Sequence, residues 1–401
     1  MAEKSSLALV ILLVFFINAS VGEGLSNFGI NYGRVADNLP SPATVAQLLE
    51  SLKVTRVKLY DANPDVLKAF ANTSVDFIVT VANADIENLT DQGNALSWIQ
   101  QWVQPHLPYT NISCITIGNE VFSSEDTQLW ANLLTAMESV YSALVSLKLD
   151  NMVSVTTTHA LAILSNSYPP SSGSFKEEFS EYIRPILDFH LKTNSPFLIN
   201  AYPYFAYKGS PDEDLLKYVL FEPKQPLLDE NTNLTYDNML YAQIDAVYSA
   251  MKLMGHTDIE VRVSETGWPS KGDSDEHGAT PANAALYNGN LLKRVTAKEG
   301  TPAKPKVPID ICVFALFNEN LKPGPTSERN YGIFYPNISQ VYNIGFQTVV
   351  TSPPANSPGY FSAAAVHARF LKSFSLQSPA AISLLAAVAH LVLYRDSHYF
   401  W

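Results

Sequence analysis

The stretch "CITIGNEVF", residues 114–122, opens as a buried strand and stops on an amide and a carboxylate, Asn119 and Glu120. Burying an unpaired charge costs several kcal/mol. A core strand that ends this way carries either a structural ion pair or a group aimed into a cleft. The surrounding pattern decides between the two.

Seven more runs of the same kind can be read: "FGINYG" at 28–33, "RVKLY" at 56–60, "DFIVTVAN" at 76–83, "MVSVTTT" at 152–158, "FLINAYPY" at 197–204, "EVRVSETGW" at 260–268 and "DICVFALFNE" at 310–319. Helical patterns separate them, over 42–52 after the capping Ser41, then 95–103, 127–147, 177–191, 236–254 and 281–296. Strands alternating with helices predict a parallel sheet. Eight such units over about 320 residues predict an α/β fold, a (β/α)8 TIM barrel. The Lys-, Pro- and Asp-rich interval 205–235 reads as a small subdomain inserted after the sixth strand.

In such a barrel the active site lies at the carboxyl ends of the strands. Polar residues gather there: Asn31 and Tyr32, Tyr60 and Asp61, Asn83, Asn119 and Glu120, Tyr202 and Tyr204, Glu265 and Trp268, Asn318 and Glu319. Folding alone has no need for this; a cleft with a polar floor does. Glu120 and Glu265 end strands four and seven and face one mouth. Paired carboxylates across a cleft are what glycoside cleavage requires: one protonates the leaving oxygen, the other attacks the anomeric carbon or activates water. Glu120 follows an apolar strand, a setting that raises an acid's pKa. Asn119 is placed for a sugar hydroxyl, Tyr202 for a hydrogen bond to the nucleophile, Tyr60 for the substrate, and Trp268 for stacking on a sugar ring. Trp268 also reads as core packing, Asp61 as a helix cap, and Tyr204 and Tyr207 as sugar platforms or hinge packing.

The segments "FGINYGRVADNLPSP", "VKLYDANPDVL", "ITIGNEVF", "INAYPYFAY", "VSETGWPSKGD" and "FALFNENLKPGPTSERNYGIFYPN" together resemble the plant endo-1,3-β-glucanases of glycoside hydrolase family 17, over roughly residues 27–346 and in the expected order. "GNEV" with "ETGWPS" is the specific joint signal. The resemblance implies retaining hydrolysis of 1,3-β-glucan, with Glu265 as nucleophile and Glu120 as acid/base. It assigns Glu319, Lys322 and Glu328 supporting roles in the cleft. It also implies a 1,3-β-glucan partner, no cofactor and no metal. The rival expectations are a glucan transglycosylase and a non-catalytic wall-glucan binder.

The formal net charge of −12 argues against nucleic acid, which needs clustered Lys and Arg. The eight histidines show no metal-ligand spacing. Lys4, the apolar run 7–17 and small residues at Ser20 and Gly22 predict a signal peptide over 1–22. Residues 23–348 form the catalytic domain. Five sequons, at Asn72, Asn88, Asn111, Asn233 and Asn337, fit a secreted glycoprotein. A linker and spacer over 349–377 precede an apolar tail over 378–401. That order resembles a glycosylphosphatidylinositol attachment signal, with a membrane helix or an unstructured tail as alternatives. The expectation is a monomer tethered outside the plasma membrane by its lipid alone. Cys114 and Cys312 both fall in apolar strands and read as buried free thiols, although an oxidising compartment permits their pairing.

Overall fold

The computed structural model describes Leu25 and residues 27–346. The signal peptide, the linker and the C-terminal tail expected from the sequence lie outside the described residues. Eight strands close a parallel barrel. They are β1 (Phe28–Tyr32), β2 (Arg56–Leu59), β3 (Asp76–Val81), β4 (Asn111–Asn119), β5 (Ser154–Ala160), β6 (Phe197–Asn200), β7 (Val261–Thr266) and β8 (Ile311–Val313). Each pairs with its neighbours in sequence, and β1 closes the ring on β8.

Outside the ring stand α1 (Pro42–Leu52), α2 (Pro64–Ala69), α3 (Gln92–Trp102), α4 (Thr127–Ser146), α5 (Ser180–Thr193), α6 (Pro203–Gly209), α7 (Glu213–Val219), α8 (Met239–Leu253) and α9 (Pro281–Thr296). The interval after β6 holds α6, α7 and a short hairpin of Leu227–Asp229 with Leu234–Tyr236. Helix starts follow local chemistry. Ser41 and Thr280 accept bonds from backbone N–H groups of the first turn, each with proline next in line. The cap of α2 is Asn63, not Asp61. Asp61 instead pairs with Arg34 at 3.1 Å.

Two strands stop well short of expectation. The sixth strand stops at Asn200, because Pro203 opens α6. The eighth stops at Val313, and among the described residues no α-helix follows it. The segment "NLKPGPTSERN" lacks the run of good helix formers a helix needs. Tyr342, Ile344 and Phe346 are buried there instead, with Phe346 edge-on to Phe28 and Ile344 against Gly289 of α9.

The large apolar core includes Val45 and Leu49 of α1 together with Val57 and Leu59 of β2, the seam between wall and helices. A separate small cluster joins Ile78, Cys114 and Cys312. Both cysteines are free, and burial pushes their thiols up, to about 11 and about 12. Arg56 pairs with Asp76 and Asp310 near the amino ends of the strands, and Arg262 also reaches Asp310.

Candidate active site

The parallel ladder breaks register at two places that matter: between Thr116 and Asn119 on β4, and between Val263 and Glu265 on β7. Irregularities of this kind re-aim side chains beside active sites. Gly118 makes the first one possible. Its φ is +71°, and a Cβ there would collide with Val121, Asn83 and Ile86. Asn83 then clamps the Asn119 backbone with both ends of its amide, accepting from the N–H (2.8 Å) and donating to the carbonyl (3.0 Å). Glu120 itself adopts a left-handed backbone, φ +51°, which is uncommon for a residue with a side chain. Its N–H is tied to the Thr158 carbonyl at 2.8 Å.

Asn200 Nδ2 donates to Glu120 Oε1 at 2.7 Å, and Asn200 Oδ1 accepts from Ser264 Oγ at 2.7 Å. Burial and the charge of Glu265 together push the Glu120 carboxyl upward, against the opposing pull of Asn200 and Lys58. Glu120 therefore tends to keep its proton.

Glu265 stands in the opposite situation. It is 6% exposed. Burial alone would raise its pKa, yet Lys58 and hydrogen bonds from Lys58, Tyr60 and Tyr202 hold it below the usual carboxylate value. Lys58 Nζ lies 2.9 Å from Oε1, and Tyr202 donates to Oε2 at 2.9 Å. Lys58 also donates to Asn119 Oδ1 at 3.3 Å. Asn31 Nδ2 donates to the Tyr60 hydroxyl at 3.1 Å and to the Ser264 carbonyl at 3.0 Å, which fixes Tyr60 beside the carboxylate. Two carboxylates in one site, one pushed up and one held down, have the electrostatics that an acid paired with a nucleophile or base requires.

Both glutamates line a cleft of about 900 Å³, with Tyr60, Asn119, Tyr202, Glu319, Lys322 and Glu328. Eight of the nine residues expected from the sequence thus meet in one place. Glu319 is 2% exposed; its Oε1 accepts from the Val35 N–H at 2.8 Å, and its Oε2 has no protein partner. Burial pushes its pKa up. Lys322 pairs with Glu328 at 3.4 Å and sits 4.0 Å from the Phe314 ring centre.

Trp268 is the exception. It is fully buried and absent from the cleft wall. Its indole N–H donates to the Gly278 carbonyl at 2.8 Å, and its ring packs on Tyr204, Tyr207 and Tyr287. The expectation of a sugar platform fails because the chain turns inward after Thr266 and shuts the indole in. Tyr204 is buried with it. The open aromatic face on this side of the cleft is Phe205, 50% exposed.

Sequence reasoning also missed Lys58 and Asn200. A lysine inside the otherwise apolar run "VKLY" was the available signal, since a fully buried lysine needs a partner. Among the described residues no group of His, Cys, Asp and Glu is arranged to hold a metal ion.

Residues 28–346 match the glycosyl hydrolases family 17. The chain is 61% identical over 338 residues to glucan endo-1,3-beta-glucosidase 14 of Arabidopsis thaliana, covering 84% of this chain and 86% of that protein. It is 54% identical to glucan endo-1,3-beta-glucosidase 11 of the same plant, over 86% of this chain and 80% of that one. Among solved structures it resembles CJP38, a beta-1,3-glucanase and pollen allergen of Cryptomeria japonica, with TM-score 0.76 and 39% identity, covering 80% of this chain and 99% of that one. The barrel, the two glutamates of opposite protonation tendency and these likenesses agree: this chain is a glycoside hydrolase and belongs to glycosyl hydrolases family 17.

Proposed function

We propose that this protein is a retaining endo-hydrolase of 1,3-β-glucan in which Glu265 is the nucleophile and Glu120 the acid/base. The observation that carries the reading is the opposed electrostatics of the pair: Glu265 held ionised by Lys58, Tyr60 and Tyr202, Glu120 biased toward its protonated form. Glu120 protonates the glycosidic oxygen while Glu265 attacks the anomeric carbon. Water then displaces Glu265 as Glu120 takes up the water proton. Asn119 supports this chemistry: its side-chain Oδ1 is engaged by Lys58, and its Nδ2 makes no bond among the described residues. Glu319, Lys322 and Glu328 supply polar contacts to neighbouring sugars. The 1,3 linkage rests on the named relatives.

The test is reducing-sugar release from laminarin, with the anomer of the first product followed by NMR. Wild-type protein is expected to release the β-anomer first, and Glu265→Gln to lose turnover. Wild-type turnover in Glu265→Gln, or first release of the α-anomer, refutes the mechanism.

An extracellular, lipid-anchored location belongs to the same reading. All five sequon asparagines are exposed, as glycan acceptors must be. Among the described residues no helix is long and apolar enough to cross a membrane. Release of the protein from plant membranes by a phosphatidylinositol-specific phospholipase is the expected outcome. Retention after that treatment refutes the anchor.

A further inference from the structure

A second groove, about 650 Å³, lies beside the cleft. It is bounded by the carboxyl ends of β2 and β3 and by the exposed side of α3. Tyr60 lines both spaces. In a ring of eight strands in sequential order, β2 and β3 stand across the mouth from β6 and β7. Phe205, on the opposite rim after β6, is half exposed toward the cleft. A polymer that lies over Phe205 and passes the two glutamates meets on the far rim the cleft wall of Val35, Glu319 and Lys322 and, beside it across Tyr60, this groove.

The chemistry of the groove fits a neutral polyhydroxylated chain. Its wall carries two half-buried tryptophans, Trp98 and Trp102, whose indole N–H groups make no bond among the described residues. Exposed Asp85 and Gln101 add polar groups that no other side chain among the described residues engages. Among the described residues no lysine, arginine or histidine lines it, so an anionic ligand finds no counter-charge there. Flat apolar rings with amide and carboxylate groups around them match the alternation of CH faces and hydroxyls on a sugar chain. A ridge stands where groove and cleft share Tyr60. It consists of Tyr60 and the Arg34–Asp61 ion pair, whose side chains are 33% and 48% exposed. Exposed pairs of this kind are weakly held and readily displaced.

We infer that this groove is an accessory subsite that holds a distal stretch of the same 1,3-β-glucan chain whose scissile bond lies between Glu120 and Glu265. The inference rests on the glucanase reading above and extends it. Binding there adds affinity only for chains long enough to cross the ridge. The enzyme should therefore favour polymer over short oligosaccharides through this surface.

The test compares kcat/KM on laminarin and on laminaritetraose. Three proteins are used: wild type, a Trp98→Ala/Trp102→Ala double variant, and Ser97→Trp, which fills the groove from an exposed helix position without removing core atoms. Both variants should lose roughly tenfold on laminarin, the scale of one good polar contact, and keep wild-type kinetics on the tetraose. Equal losses on both substrates in Ser97→Trp, or no loss on laminarin, overturn the inference. Asn88, an exposed sequon residue, also lines the groove. A gain in laminarin kcat/KM on Asn88→Gln, in protein from a glycosylating host, would make the chain's own glycan the occupant and overturn it as well. Wild-type protein that cleaves neither substrate overturns the glucanase reading instead. In that event, calorimetric binding of laminarin with and without Ser97→Trp decides the groove: unchanged binding refutes it.

Discussion

Replacing Lys58 by methionine removes the only cation among the described residues in contact with Glu265 and keeps nearly the same volume. Lys58 is fully buried, and its ammonium lies 2.9 Å from the carboxylate. At that separation and an effective dielectric constant of about 20, the attraction is about 6 kcal/mol before desolvation. Part of this offsets the cost of burying the lysine itself, so truncation of one partner is expected to cost about 3–5 kcal/mol. The methionine leaves a buried carboxylate supported only by Tyr60 and Tyr202, and its pKa rises. Since the nucleophile must be ionised, the acidic limb of the kcat/KM profile on laminarin should move to higher pH. Below that limb the loss should reach roughly 100-fold, about 3 kcal/mol in the barrier. The stability effect has a defined sign. Glu265 is held below its unfolded value, so its contribution is full above the unfolded carboxylate pKa and vanishes as pH falls through the folded one. The Tm gap between wild type and Lys58→Met should therefore be widest near neutral pH and close in acid. Lys58→Arg, which keeps the charge, should leave the acidic limb near its wild-type position. An acidic limb in Lys58→Met that coincides with wild type would refute the electrostatic role assigned to this lysine.

Asn200→Ala removes a hydrogen bond that favours ionised Glu120. Its alkaline limb should move up, and kcat/KM on laminarin should fall roughly tenfold; an unmoved limb contradicts the assignment of Glu120 as the acid. Glu276 is 4% exposed and held at about 2 by Lys208, Ser327 and the backbone N–H groups of Asp273 and Ser327, which overcome its burial. Glu276→Gln should cost about 2–3 kcal/mol at neutral pH. The deficit should be full above the ordinary carboxylate pKa and disappear as pH falls toward 2; a pH-independent Tm difference would show that the charge is immaterial. Trp268→Ala should cost about 3–5 kcal/mol through the cavity it leaves, with KM for laminarin unchanged in the folded protein. A raised KM at undiminished Tm would restore Trp268 as a sugar platform.

The barrel and the meeting of Glu120 and Glu265 in one cleft were legible in the sequence. Period and run length need only local patterns, and eight β-branched runs separated by helical stretches admit few arrangements. The same alternation predicts which strand ends face the mouth, and so pointed Glu120, Glu265, Tyr60, Tyr202 and Glu319 to one rim, whereas Lys322 and Glu328 were expected there only from the resemblance to the family. What the glutamates do to one another was decided only by tertiary structure. Lys58 and Asn200 reach them from other strands, and no spacing along the chain reveals a 2.9 Å contact between residues 207 positions apart. Trp268 shows the converse. Its place at a strand end suggested exposure, but the path of the chain after Thr266 buries it beneath Tyr204 and Tyr207. Local sequence dictates backbone form because hydrogen bonding and side-chain alternation are short-ranged. Burial and charge are properties of what the finished fold brings close, and they set which carboxyl holds a proton.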